Sequence, residues 1–467
     1  MSNASSLALE IKVCLSSKPS KPRDVIIFQM RKWFLVALLA VVFSCLAGII
    51  LYNFTPIHYK VSRLVNDVQA QVFYALNPPQ EVVFVPQEGQ VEAIVDATMQ
   101  ALKQTANISP SPTESATPTQ PGPTLTPQPS PTSTPTITPI PEKFTLVGLR
   151  HEYQQMNNCG PTTLAMALSF WGWQGDQRDT RLYLRPNFAT VDDKNVNPAE
   201  MADYVEQFTE LKALVRVGGD LDMLKRLVAA GFPVVIEKGF QPPKEDWMGH
   251  FEVINGYDDT RQRFITQDSY IMSDFPVPYE QLTESWWRDF NYVYLVIFPP
   301  EREAVLLSIL GHQADPAYNY QHAAQIASEE TQQLSGRDLY FAWFNLGSSL
   351  TMLQDYSGAA TAYDQAFAQY ANLSMEERPW RTLWYQDGPY RAYYYAGRYQ
   401  DVIELANTTL AYLQKPVLEE SFYWRGLARE QTGDLDGAIS DLMKSVELNP
   451  NFAPGYEQLQ RLGFQAP

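Results

Sequence analysis

The residue best placed to act as a nucleophile is a cysteine standing directly before Gly-Pro, in the segment HEYQQMNNCGPTTLAMALSFWGW. Proline is favoured in the first turn of a helix, where its missing N–H is no loss, so Cys159 is predicted at a helix N-terminus. There the partial positive charge of the helix favours thiolate over thiol. Asn157 and Asn158, just upstream, are natural turn and capping residues. A thiolate needs a base and proton donor, and the surrounding segment offers only His151 and His250. His250, in WMGHFEVINGYDD, opens a strand-like run that would give its imidazole a rigid support. His151 lies only eight residues before Cys159 and suits a structural or substrate-facing place better. The third member should orient the imidazole. Asp268, in RFITQDSY, ends the strand expected to pair with that of His250, whereas Asp258 and Asp259 fall in the intervening turn. For an oxyanion hole the backbone N–H of Cys159 can serve, with a side-chain amide from Gln154 or Gln155.

These groups need a scaffold, and residues 142–300 supply alternating patterns of two periods. Helical spacing marks 160–171, 198–208 and 221–230, with Leu164, Ala167 and Leu168 on one face of the first. Strand character follows at 233–237, 251–256, 263–267 and 292–298. Helices first and strands later imply an α+β domain.

The motif set resembles cysteine peptidase family thirty-nine, the papain-like group that includes bacteriocin-processing peptidases. The likeness covers about residues 145–300 and rests on the Gln before NNCGP, on Gly-His opening a hydrophobic strand, on GYDD, and on the later Asp. It implies a papain-like fold with Cys159 as nucleophile, His250 as base and acid, Asp268 as orienting residue and Gln154 as oxyanion donor. Asp268 is followed by Ser where many members have Pro. The bacteriocin peptidases are fused to transporters and cleave after double glycine. No transporter segments occur here, so that specificity is not implied.

After Pro300 the chain reads as helical repeats. Trp343, Leu346, Gly347, Leu350, Tyr356, Ala359, Tyr363 and Ala366 fall at the spacings of the tetratricopeptide pattern. Gly426, Leu435, Ala438, Leu442 and Pro450 repeat it, and Tyr390, Tyr399 and Ala406 mark a degenerate copy. Residues 301–467 are therefore expected to form an all-α domain that holds a protein partner.

Upstream, residues 33–52 (WFLVALLAVVFSCLAGIILY) carry no charge and are about long enough to span a bilayer. Residues 1–32 have six basic side chains against two acidic ones. By the positive-inside rule this tail should be cytoplasmic, with the peptidase and repeat domains outside a single-pass membrane anchor. A cleaved signal peptide is the competing reading, since Cys45 and Ala47 are small enough for a cleavage site. Residues 53–106 are a juxtamembrane segment with an extended apolar piece at 82–85. Residues 107–141 are about one-third proline, the rest mostly Ser and Thr, and read as a stiff stalk. An unpaired thiol outside the membrane calls for a reason, which favours chemistry over a buried structural Cys159.

The net charge of −17 disfavours nucleic acid as a partner. Neither Cys-x-x-Cys, His-Glu-x-x-His nor a Gly-rich phosphate loop occurs, so no metal or other cofactor is expected. The expectation is a membrane-anchored thiol hydrolase of peptide or amide bonds outside the cell. Two rivals use the same architecture: a non-catalytic tethered scaffold that presents the repeats, and a transglutaminase-like acyltransferase.

Overall fold

The computed structural model describes residues 33–48, single positions between 61 and 76, and residues 81–87, 140–186, 195–242, 245–412 and 416–464. Contacts divide the chain into two units, 1–68 and 69–467. In the first unit residues 33–48 form a helix. Among the described residues no helix is long and apolar enough to cross a membrane. This overturns the single-pass anchor and, with it, the membrane partner and the outward-facing localisation. The compartment argument for Cys159 loses its premise, and the case for that residue rests on geometry. Residues 49–52 and 107–139 lie outside the described residues.

The second unit holds a seven-stranded sheet, antiparallel in every pairing described. Its strands are β1 (Lys143–Thr145), β2 (Lys212–Arg216), β3 (Val234–Phe240), β4 (Met248–Asp258), β5 (Arg263–Asp268), β6 (Met272–Pro278) and β7 (Tyr294–Phe298). They run in the order β2-β7-β3-β4-β5-β6, with β1 against the far end of the long β4. Alternation along the central strands sorts side chains to two faces. Val235, Phe251, Val253, Leu295 and Ile297 pack with helices α1 (Cys159–Phe170), α2 (Gln177–Leu184) and α3 (Pro198–Phe208). Val234, Ile236, Ile254 and Val296 pack instead with α4 (Leu221–Ala229).

The patterns at α3 and α4 are helices as expected, each begun by a side-chain cap: Asn197 with Glu200 in a capping box, and Asp220 on the Met223 N–H. Helix α1 differs. Every residue from Gly160 to Leu168 is buried, so it is enclosed on all sides and lacks the single apolar face read from Leu164, Ala167 and Leu168. Its small residues permit this: a Cβ on Gly160 would lie 3.2 Å from Val196 Cβ and 3.6 Å from the Phe251 ring.

From Glu303 onward the chain is all helix: α5 (Glu303–Leu310), α6 (Pro316–Glu330), α7 (Gly336–Met352), α8 (Tyr356–Asn372), α9 (Thr382–Tyr385), α10 (Gly388–Tyr395), α11 (Tyr399–Ala411), α12 (Glu419–Thr432), α13 (Leu435–Leu448) and α14 (Ala453–Arg461). Gly347 lies against the Tyr363 ring and Gly426 against Ala438 O and Leu442, so α7 meets α8, and α12 meets α13, at the small positions of the repeat pattern. The helical domain rests directly on the sheet domain. Trp247, just before β4, stacks on Phe290 and meets Phe341 and Tyr385, and Arg381 donates to Trp247 O at 3.2 Å. Residues 81–87 also belong to this unit and lie on the helical domain.

Candidate functional site

Helix α1 begins at Cys159 itself. Asn157 adopts φ 51°, a left-handed turn that Asn tolerates, and reverses the chain just before the helix. Asn158 occupies the cap position, but its side chain makes no capping bond; its Nδ2 donates to Gln177 Oε1 at 2.9 Å. The Arg185 guanidinium donates to Asn157 O and reinforces the turn. The thiol therefore sits, half-buried, at the start of a rigid helix.

His250 lies on β4 and is only 3% exposed. Its Nε2 is 3.0 Å from Asp268 Oδ1, and the ring lies close enough to the Cys159 thiol for each to shift the other's pKa. Asp268 is completely buried, and the same Oδ1 accepts the backbone N–H groups of Tyr270 (2.8 Å) and Ile271 (2.9 Å). A register shift between Thr266 and Asp268 breaks the regular ladder and turns the carboxylate out of strand alternation. The three side chains singled out in the sequence are thus brought together from the N-terminus of α1, from β4 and from the end of β5.

The electrostatics suit an ion pair. Burial alone would raise the thiol pKa, but the His250 hydrogen bond and charge, with the N–H groups of Phe251 and Gly160, bring Cys159 below the ordinary thiol value. Burial alone would lower the His250 pKa; the Asp268 carboxylate and the sulfur outweigh it and raise the imidazole to about 10. Burial likewise works against the Asp268 anion, and the imidazolium, then Lys238, hold its pKa below the usual carboxylate range.

The two glutamines part company. Gln154 is half-buried, and its Oε1 accepts the Ser269 hydroxyl at 2.8 Å beside Asp268, which fixes the orientation of the amide. Gln155 is exposed, with its Oε1 turned to Arg181 at 3.1 Å. His151 Nδ1 is 3.0 Å from Gln267 Oε1, and burial lowers its pKa. It borders a cavity of about 460 Å³ lined by Lys143, Asp258, Arg263 and Asp274, apart from the thiol. Asp258 and Asp259 lie at the far end of β4, where Asp258 meets Lys143 and Arg261, and Asp259 meets Lys225 and the Tyr279 hydroxyl.

Several groups at the site carry no signal in the sequence. Phe240 stacks on the His250 ring at 4.8 Å, and Tyr270 stands edge-on to both rings. Lys238 faces His250 across the β3–β4 ladder and pairs with the buried Glu252 at 3.0 Å, while Thr266 donates to Glu252 at 3.2 Å. Glu237, opposite Phe251 in the same ladder, is buried; burial and the nearby sulfur push its carboxyl well above the usual range. An isolated charged pair in an apparent strand core reads as a solvated edge until the sheet is assembled.

Comparison with known families gives matches in both domains. Residues 149–294 match the Peptidase C39 like family, and residues 419–452 match a tetratricopeptide repeat. The chain therefore contains a C39-like peptidase domain followed by a tetratricopeptide repeat domain. Among solved structures, a C39-like peptidase from Bacillus anthracis is 20% identical, over 33% of this chain and 96% of its own, with a TM-score of 0.27. A double glycine motif protease from an AMS/PCAT transporter, in complex with its leader peptide, is 19% identical over 32% and 91%, with a TM-score of 0.25. Comparison with curated proteins gives no match.

Proposed function

We propose that the C39-like domain is a thiol hydrolase of peptide or amide bonds, with Cys159 as nucleophile, His250 as general base and acid, and Asp268 as the orienting carboxylate. The observation that supports this reading is the buried His250 ring, 3.0 Å from the Asp268 carboxylate and near enough to the Cys159 thiol that the two shift each other's pKa. In the resting state the proton lies on the imidazole, leaving a thiolate at the helix N-terminus. The thiolate attacks the carbonyl carbon, and the oxyanion is held by the Cys159 backbone N–H and the Gln154 amide. His250 passes its proton to the leaving nitrogen, the C–N bond breaks and a thioester remains. Water, deprotonated by the now neutral imidazole, attacks the thioester, releases the acid and restores the thiolate–imidazolium pair.

The helical repeats, fused against the strand that carries His250, would hold a protein substrate or partner near the thiol. In the full chain, which keeps Cys14 and the exposed Cys45, Cys159→Ala should abolish iodoacetamide labelling of the C39-like domain at neutral pH and any hydrolysis of peptide amides. Persistent labelling of the C39-like domain in that variant would refute the assignment.

A further inference from the structure

Residues 81–87 have no place in the peptidase or repeat patterns, yet they are bound on the helical domain much as a ligand would be. Residues 81–86 have no regular secondary structure and make no strand pairing. Phe84 and Pro86, two positions apart and so on one face, are buried, while Val82, Val85 and Gln87 are exposed. Phe84 is 6% exposed and lies edge-on to Phe367 at 5.0 Å, in a slot walled by Tyr340, Tyr370, Trp380, Leu405 and Tyr412. Only about 20 Å³ of empty space remains around the ring.

Polar contacts fix the direction of the segment. The Tyr370 hydroxyl donates to Glu81 Oε1 at 2.8 Å, and Arg378 reaches the same oxygen at 3.2 Å. The Tyr412 hydroxyl donates to Val82 O at 3.1 Å, and Gln87 N–H donates to Asp401 Oδ1 at 2.7 Å. A paired acid at one end, an aromatic anchor three residues on and a buried proline after it form a recognition pattern, Glu-x-x-Phe-x-Pro.

We propose that this slot is a receptor for extended peptides of that pattern, and that residues 81–87 are its resident ligand, exchangeable for one in trans. The proposal does not depend on the chemistry at Cys159. Two features favour exchange over permanent packing. Recognition uses side chains of the helices and no shared backbone ladder, so leaving breaks no sheet. The segment is joined in sequence to the peptidase domain through residues 88–139, which are rich in Pro, Ser and Thr from 107 onward. A ligand carried on the same chain competes at an effective concentration on the order of millimolar. A peptide binding at about 10 µM to the empty slot would therefore look about a hundredfold weaker against the occupied one.

The test uses a fluorescein-labelled peptide EVVFVPQ and the full-length chain. Anisotropy should show saturable binding to Phe84→Ala, at least about tenfold tighter than to wild type. Binding should be lost with the Phe-to-Ala peptide and weakened by a further Arg378→Ala. Absence of binding to a folded Phe84→Ala chain would overturn the proposal. If that variant does not fold, a protease site placed within 88–139 of the otherwise unchanged chain is cut after folding. Excess peptide should then release the N-terminal fragment on size exclusion, and retention of the fragment would overturn exchange. A dimer that grows with concentration and is dissolved by the peptide would move the occupant to a second copy and overturn residency within one chain.

Discussion

Buried charge is handled differently in the two halves of the folded unit. Among the repeats, Arg398 is clamped by Asp364 at 2.7 and 3.0 Å and by Asp401 at 2.8 Å, and lies over the Tyr393 ring at 4.4 Å. Asp441 likewise takes Arg425 at 2.7 Å and Arg429 at 2.8 Å. There the cations meet carboxylates within the same helical layer, and the charges join neighbouring helices. Around Cys159 the charges form a line from Glu252 and Lys238 through Asp268 and His250 to Cys159, which is only partly buried. A cluster closed on itself staples a fold, whereas one ending at a nucleophile can hand its proton to something else. Burial of charge alone does not mark a site; where the chain of charges terminates does.

That contrast is sharpened most by Asp268→Asn. It keeps a hydrogen-bonding side chain but loses the anion that holds His250 charged, and hydrolysis of peptide amides should fall about a thousandfold. The pH profile should move too. In wild type the imidazolium persists up to about 10, so the alkaline limb of the rate lies near there. Without the carboxylate it should shift to lower pH. An unchanged limb would detach Asp268 from the chemistry.

Arg398→Met is the reciprocal experiment. It strands two carboxylates, at most 17% exposed, and should cost about 3–5 kcal/mol in urea unfolding. Iodoacetamide should still alkylate Cys159 at the wild-type rate below the transition. A matching loss of thiol reactivity would erase the distinction between the two regions.

Asp289, at the junction of the domains, gives the smallest effect. Burial raises its carboxyl to about 7, only partly offset by the Trp247 indole N–H at 2.7 Å. The unfolded chain gives up this proton near pH 4, so between there and about 7 it binds fewer protons than the folded chain. Stability then declines as pH rises through that window. From pH 5 to 8 wild type should lose about 2–3 kcal/mol more than Asp289→Asn in parallel urea titrations. Equal losses would show that this carboxyl is not held neutral.

Local chemistry in the sequence determined a good deal of this protein. Gly-Pro ahead of a helix-periodic run suits a helix start, Gly-His before a hydrophobic alternation opens a strand, and small residues at repeat spacing suit paired helices. From these the C39-like and tetratricopeptide domains were both legible. Composition misled at residues 33–52, because apolarity fixes what a segment tolerates, and among the described residues no helix is long and apolar enough to cross a membrane.

Other features depended on which strands become neighbours, and no single segment encodes that. Lys238 faces His250 because β3 lies beside β4, and Gln154 separates from Gln155 because Ser269 follows a break in the β5–β6 register. Phe84 finds its slot across nearly three hundred residues of chain, through shape and a paired acid that exist only once the helices have packed. Short-range rules act through backbone geometry and can be read in order; partners in space are chosen by the whole buried surface at once.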